Sequence, residues 1–319
     1  MVAGRPATLA VLDAEGQLTP GVVVEFTGGG QATTDATGRA TFTSPADPGV
    51  LFARLAGGPP ERASASATVI VPAATLPDGV VLAEFPRVIP LGEPFSLRGS
   101  GFRGEAEANR VLIGDQPALI LAASPVALVM QSGPRVVPGP ALLVVEVGGR
   151  SPGPVPVTLV ALEFSAAKQQ LAPRERGQLT VRVRGSEQRL MLEVRNLTPE
   201  AVTLSRGNFH RVLSSGGAEN AAVVKLTGRR EGEFSVSVRV IPPASGMPDV
   251  EAARLQLLAA VPLAPPEWRR RVERVVRRLE RQPADYLGAR DDLERLLARY
   301  PEGEFGRLLE ASWRILIHR

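Results

Sequence analysis

Apolar and polar residues alternate along much of the chain before residue 262. Between Phe95 and Arg98 every second side chain is apolar, which is the two-residue period of a strand with one buried face and one solvated face. The same alternation recurs over residues 22–27, 179–184, 190–194 and 234–240. Short apolar runs at 111–113 and 142–147 end at Gly-Asp and Gly-Gly, the turn signals that separate sandwich strands. The pattern predicts a mainly β chain.

The pattern changes after Pro265-Pro266. Apolar positions are then spaced by three and four residues, at Trp268, Val272, Val275 and Leu279. This spacing is typical of one face of a helix, and two further stripes follow over residues 286–300 and 305–316. We therefore predict three short helices within residues 263–319. We expect the last strand of the β region to continue through residues 254–258.

The segment from Phe85 to Val160 carries the most specific pattern. It begins FPRVIPLGEPFSLRGSGF, continues through VLIGD and closes with LLVVEVGG. These features resemble the IPT/TIG family of immunoglobulin-like (Ig-like) domains. The resemblance implies a β-sandwich and leaves the ligand open, because one such fold serves many functions.

Residues 1–76 and 161–262 show the same kind of alternation on either side. The first segment has Asp-x-x-Gly turns at 13–16 and 35–38, and it resembles the bacterial Ig-like modules of invasin-type adhesins or the carboxypeptidase-regulatory-like module. The second is a third Ig-like sandwich without a family name. The predicted domains are therefore 1–76, 77–160, 161–262 and a helical tail at 263–319, with a short linker at 72–78. The fold class is mainly β, with tandem Ig-like sandwiches and a small C-terminal helical segment.

Residues suited to catalysis or metal binding are scarce. The chain has no Cys and only two His, His210 and His318, which are too far apart in sequence to suggest a metal cluster. The G-x-G-x-x-G match at Gly99–Gly104 lacks room for the helix that a dinucleotide site requires, because a strand begins near Val111. It is better explained as a glycine-rich turn of the sandwich. We expect no catalytic residue, no cofactor and no metal site, and therefore no enzyme.

Charge singles out the first predicted helix. The chain has 37 Lys and Arg against 33 Asp and Glu. Arg greatly outnumbers Lys, and abundant Ala, Gly and Pro accompany it, which points to a GC-rich bacterial genome. Candidate partner or anion contacts are Arg269, Arg270, Arg274, Arg277, Arg278 and Arg281. Such a helix could bind nucleic acid or anionic lipid headgroups. The alternative is a solvated face whose Arg stems pack on the third sandwich and whose Glu neighbours form local pairs.

Function follows only in outline. No apolar run reaches the ~18 residues that span a bilayer, and the N-terminus lacks the apolar core of a secretory signal. We expect a trimmed or misassigned start and an extracytoplasmic location, with the cytoplasm as the alternative. The leading hypothesis is a non-enzymatic bacterial protein for adhesion, protein binding or spacing, whose partner is a protein or cell-envelope component. The alternatives are a cytoplasmic nucleic-acid-binding or regulatory protein and an accessory region of a larger enzyme.

Overall fold

The computed structural model describes residues 1–13, 15–57, 64–71, 79–166, 168, 170–231, 233–241, 250–281, 283–299 and 303–317. The expected linker at 72–78 and His318 lie outside these residues. The described chain forms mainly antiparallel sheets in Ig-like modules, followed by four C-terminal helices. The predicted fold class is confirmed.

The N-terminal segment contributes strands to two different sheets. Its strands are β1 (Pro6–Ala10), β2 (Val23–Phe26), β3 (Gln31–Thr33), β4 (Arg39–Thr43), β5 (Gly49–Leu55) and β6 (Ser64–Val69). Four of them form a sheet in the order β3-β2-β5-β6, while β1 pairs with β4. The β1–β4 pair is therefore available to join a neighbouring sheet.

The middle segment is an apolar sandwich. Its strands are β7 (Val81–Glu84), β8 (Val88–Pro90), β9 (Pro94–Ser100), β10 (Asn109–Ile113), β11 (Gln116–Pro117), β12 (Leu119–Ser124), β13 (Ala127–Gln131) and β14 (Gly139–Val147). In β9 the side chains of Phe95 and Leu97 are buried and Ser96 is exposed, as the alternation predicts. Gly114 and Asp115 have φ of 52° and 64°, which allows the tight two-residue turn between β10 and β11.

A shared sheet joins the N-terminal and middle segments. Strand β1 pairs with β12 at Thr8 and Ala123, giving the order β4-β1-β12-β13-β9-β7. A Cβ on Gly104 would lie 2.1 Å from the Pro6 carbonyl oxygen, so glycine permits this close approach of two backbones. A 3₁₀ turn at Ala106–Ala108 then leads directly into β10. The G-x-G-x-x-G match thus serves backbone packing.

One strand is common to the middle and third segments. This strand, β15 (Val155–Ala166), pairs with β14 through residues 155–159 and with the next strand through residues 161–166. The remaining strands are β16 (Arg176–Arg184), β17 (Met191–Asn196), β18 (Val202–Leu204), β19 (Phe209–Leu213), β20 (Ala221–Gly228) and β21 (Val236–Ile241). The two sheets have the orders β11-β10-β14-β15-β16-β20-β18 and β19-β17-β21. The expected boundary at residue 160 falls inside β15.

The C-terminal part is a four-helix unit. Its helices are α1 (Val250–Ala260), α2 (Pro266–Leu279), α3 (Tyr286–Leu297) and α4 (Gly303–Ile317). The expectation of a strand through residues 254–258 is wrong, because this stretch lies within α1. Ala253, Leu257 and Ala260 are buried at helical spacing, and Arg254 pairs at 2.6 Å with Glu251 one turn earlier.

Candidate interaction surfaces

Helix α2 buries one side and exposes arginine on the other. Its buried residues are Val272, Val275, Val276 and Leu279. The exposed residues Arg270, Arg274, Arg277 and Arg281 follow one another at steps of four, three and four. This spacing places Arg270, Arg274 and Arg277 in one line along α2, opposite the buried side, and Arg281 follows just beyond the end of the helix at Leu279. We call these four residues the arginine stripe.

The remaining two candidate arginines, Arg269 and Arg278, lie outside the arginine stripe and have different surroundings. Arg269 is exposed at its flank. Arg278 turns toward α3, where its Nε lies 2.8 Å from Asp292 Oδ2 and its Nη1 bonds to Asp285. The hydrogen bonds that Arg278 donates to Asp285 and Asp292 raise the pKa of Arg278. The Gly288 backbone N–H and Arg278 lower the pKa of Asp285. Arg278 therefore joins α2 to α3.

The glutamates that alternate with arginines along α2 do not neutralise the arginine stripe. Within the described residues, neither Glu267 nor Glu273 forms an ion pair with a stripe arginine, and Glu280 lies 3.7 Å from Arg254 on α1. Seven Arg and three Glu over residues 266–281 leave a net charge of +4. The stripe is thus a solvated, positively charged surface, at whose end Arg281 also lowers the pKa of Asp285.

Helices α3 and α4 dock on the outer face of the β19-β17-β21 sheet. The rings of Phe209 on β19 and Trp313 on α4 meet edge to face, with centroids 5.0 Å apart. Trp313 Nε1 donates a hydrogen bond to Glu294 Oε1 at 3.1 Å, and Glu294 also pairs with Arg211 at 2.9 Å. The helical tail therefore packs on the third segment of its own chain.

A partly buried ionic network crosses the same interface. Glu193 on β17 is 2% exposed. Arg195 Nη1 lies 2.7 Å from Glu310 Oε2, and Arg314 Nη2 lies 2.8 Å from Glu310 and 3.3 Å from Glu193. Burial opposes ionisation of Glu310, but Arg314 and Arg195 outweigh it and lower the pKa of this carboxyl group. No motif in the sequence singled out these four residues, although Glu193 and Arg195 occupy one face of an alternating strand.

The helices also contact the N-terminal segment. Val50 and Phe52 on β5 pack against the helical core. Gln256 Nε2 on α1 donates to Thr68 Oγ1 at 3.3 Å, and Arg54 lies 3.7 Å from Glu304 on α4. The helical unit therefore holds the first and third segments together.

Side chains suited to metal binding or catalysis are sparse in the described part of the chain. The described residues contain no group of three or more His, Cys, Asp or Glu that could hold a metal ion. His210 lies in β19, as a strand residue, and its Nδ1 is 3.1 Å from the Gly207 carbonyl oxygen. Burial, followed by the nearby Arg206, lowers the pKa of His210. Where the structure describes helices, none is long and apolar enough to cross a membrane.

Comparison with known proteins finds only remote structural similarity. No protein-family model and no curated protein matches the chain. The Escherichia coli adhesin FdeC is similar at 15% identity, over 75% of this chain and 88% of that one, with a TM-score of 0.22. SGBP-B of the Bacteroides ovatus mixed-linkage glucan utilization locus, in complex with a heptasaccharide, shares 12% identity over 75% and 72%, with a TM-score of 0.28. The plexin A4 extracellular region shares 12% identity over 74% and 22%, with a TM-score of 0.26.

Proposed function

We propose that this chain is a non-enzymatic bacterial protein of the cell exterior that acts in adhesion, protein binding or spacing. In this proposal residues 85–160 form an IPT/TIG module between an invasin-type or carboxypeptidase-regulatory-like module and a third Ig-like module. The partner is a protein or a component of the cell envelope. It would bind at strand edges or at loops at the module ends.

The continuity of β15 carries the proposal. Its first half is hydrogen-bonded into the middle segment and its second half into the third segment. A strand that is paired on both sides of a boundary cannot bend there without loss of ladder hydrogen bonds. The joint therefore suits a protein whose task is to hold binding surfaces at a set distance.

Spin labels test whether the joint is rigid. Because the chain has no cysteine, the exposed positions Ser151 and Glu200, which lie in the middle and third segments, can each be changed to Cys and labelled across the joint. The control pair is Glu107→Cys with Ser151→Cys, within the middle segment. We expect both pairs to give narrow distance distributions by pulsed electron resonance. A broad distribution for the joint pair alone would contradict the spacer role.

The cellular location of the native protein tests the proposal that it acts outside the cytoplasm. Intact cells of the source bacterium are treated with protease, fractionated and probed with antibodies against the chain. The N-terminus of the native protein is read by mass spectrometry. We expect the protein in the envelope or outside the cell and sensitive to external protease, whereas a cytosolic marker stays intact. Recovery of an uncleaved protein in the cytoplasm would refute the proposal.

A second candidate function is supported by the arginine stripe. Its four exposed side chains form no ion pair with a described residue and lie on α2 or just beyond its end, and clustered Arg can pair with phosphates. In this alternative the chain is a nucleic-acid-binding or regulatory protein. Its test is duplex DNA binding at several salt concentrations, with charge reversal of Arg270, Arg274 and Arg277 to Glu. Salt-sensitive DNA binding that is lost in the triple variant would support this alternative. DNA binding that the triple variant retains unchanged would show that the arginine stripe is not the DNA-binding surface.

A further inference from the structure

A cleft of about 340 Å³ opens on the side of the third segment. It is lined by Ser205, Arg206, His210, Val212, Val223, Val224 and Lys225. Its volume lies at the lower end of the range for small-molecule sites, about 300–1,000 Å³. None of these lining residues is acidic.

The ends and edges of three strands create this cleft. Strand β18 pairs with β20 only between Val202–Leu204 and Leu226–Gly228. Ser205, just after β18, donates its backbone N–H to the Lys225 carbonyl oxygen at 3.1 Å, and the chain then turns away. Beyond that point, Val223 has no described strand on its β18 side. Opposite lies β19, the edge strand of the second sheet. The cleft is therefore the open side of the sandwich, where the edges of its two sheets face each other.

The cleft gathers positive charge without a counter-charge. Neither Arg206 nor Lys225 forms an ion pair with a described residue. Because a carbonyl oxygen only accepts, His210 Nδ1 donates to Gly207. The Nε2 atom therefore remains the ring nitrogen that a ligand could reach. Cationic groups that converge in a concave site repel one another, and an anion placed between them removes that repulsion.

We propose that this cleft binds a small anionic ligand whose carboxylate or sulfate group contacts Arg206 and Lys225 and accepts a hydrogen bond from His210 Nε2 when the imidazole is protonated. The guanidinium group and the ammonium group supply charge-assisted hydrogen bonds, which are the strong kind for such oxygens. Val223 is 47% exposed and lies with Val212 at the wall. A compact apolar part of the ligand, such as a sugar ring face, would rest on these two valines. The proposal concerns this site alone and does not depend on the cellular location of the protein.

The imidazole of His210 provides a direct measurement. The change His318→Gln leaves His210 as the single histidine, and its pKa is then followed by NMR at constant ionic strength. The probes are sodium sulfate, sodium glucuronate and neutral glucose, with sodium chloride as the reference salt. An anion next to the ring stabilises its protonated form, so sulfate and glucuronate should raise the pKa of His210 and glucose should leave it unchanged. Equal pKa values in sulfate, glucuronate and chloride would overturn the proposal.

Matched substitutions locate the effect. Lys225→Gln and Arg206→Gln should each weaken glucuronate binding about tenfold, the loss expected for one charge-assisted hydrogen bond. The control is Lys168→Gln, which removes the other lysine of the chain at an exposed ion pair with Glu175. This variant should bind as the parent does. Circular dichroism checks that all three remain folded. Binding that survives both cleft substitutions, or that falls equally in the Lys168 variant, would place the anion elsewhere and refute the site.

Discussion

The core of the middle segment and the interface between the helices and the third segment bury side chains in different ways. The middle core consists mainly of apolar side chains, among them Leu97, Ile113 and Leu143, and the polar residues buried in the described part of this segment, such as Asn109 and Ser124, are uncharged. The helix interface combines the Phe209–Trp313 contact with the ionic network of Glu193, Arg195, Glu310 and Arg314. Apolar burial is non-directional and independent of pH, whereas a buried ion pair needs its geometry and its charge. The two regions should therefore respond differently to mutation and to acid.

Loss of Trp313 should have the largest effect. Trp313 is fully buried, and Trp313→Ala removes both its ring contact with Phe209 and its hydrogen bond to Glu294. We expect the free energy of unfolding to fall by about 3–5 kcal/mol, measured by urea unfolding. The control, Leu287→Ala at a side chain 40% exposed, should change it by less than about 0.5 kcal/mol. Similar losses for the two variants would show that the helices are not firmly docked.

Truncation in the middle core should cost slightly less and should not depend on pH. Leu143→Ala removes a fully buried side chain from β14, with an expected loss of about 2–4 kcal/mol. No charged group belongs to this core cluster. The difference from the parent protein should therefore be the same at neutral and mildly acidic pH. If urea titrations show that the difference in free energy of unfolding between variant and parent changes with pH, the middle core is not independent of pH and the proposed contrast between the two regions is wrong.

Neutralising Glu310 should give a smaller loss that acid abolishes. Glu310→Gln leaves Arg195 and Arg314 partly uncompensated, which should cost about 1–3 kcal/mol at neutral pH. The folded-state pKa of Glu310 is lowered from 4.5. Its stabilisation is therefore present above the unfolded value and is lost as the pH falls through the folded value. Urea titrations from pH 7 to about 3 should show the parent and variant converging, and parallel curves would contradict the role of the network.

An exposed ion pair should show the smallest effect. Arg110 and Glu146 face each other on β10 and β14 at 3.1 Å, with side chains 67% and 41% exposed. Glu146→Gln should change the free energy of unfolding by less than about 1 kcal/mol, because water and salt screen such pairs. The comparison with Glu310→Gln isolates burial as the cause. Equal losses would mean that burial does not strengthen the network.

Local patterns of apolar, polar and turn-forming residues were sufficient to predict many of the strands, turns and helices. The alternation at Phe95 and Leu97 predicted β9, and the Gly114-Asp115 pair predicted the turn after β10. The three apolar stripes after Pro265 predicted α2, α3 and α4. Each of these features repeats within a few residues, so neighbouring side chains determine it. The net positive charge of α2 could also be predicted from the arginines in its own sequence.

Long-range packing decided the rest. Arg195 and Glu310 are 115 positions apart, so no local pattern shows that the polar face of β17 meets a helix and not water. The same reason explains α1, whose short apolar alternation was interpreted as a strand although its buried face packs within the helical unit. The sequence supplied the charges of Arg278, the arginine stripe and the cleft at His210. Only the tertiary structure decided which charges are paired and which stay open to a ligand, because that depends on where distant segments of the chain meet.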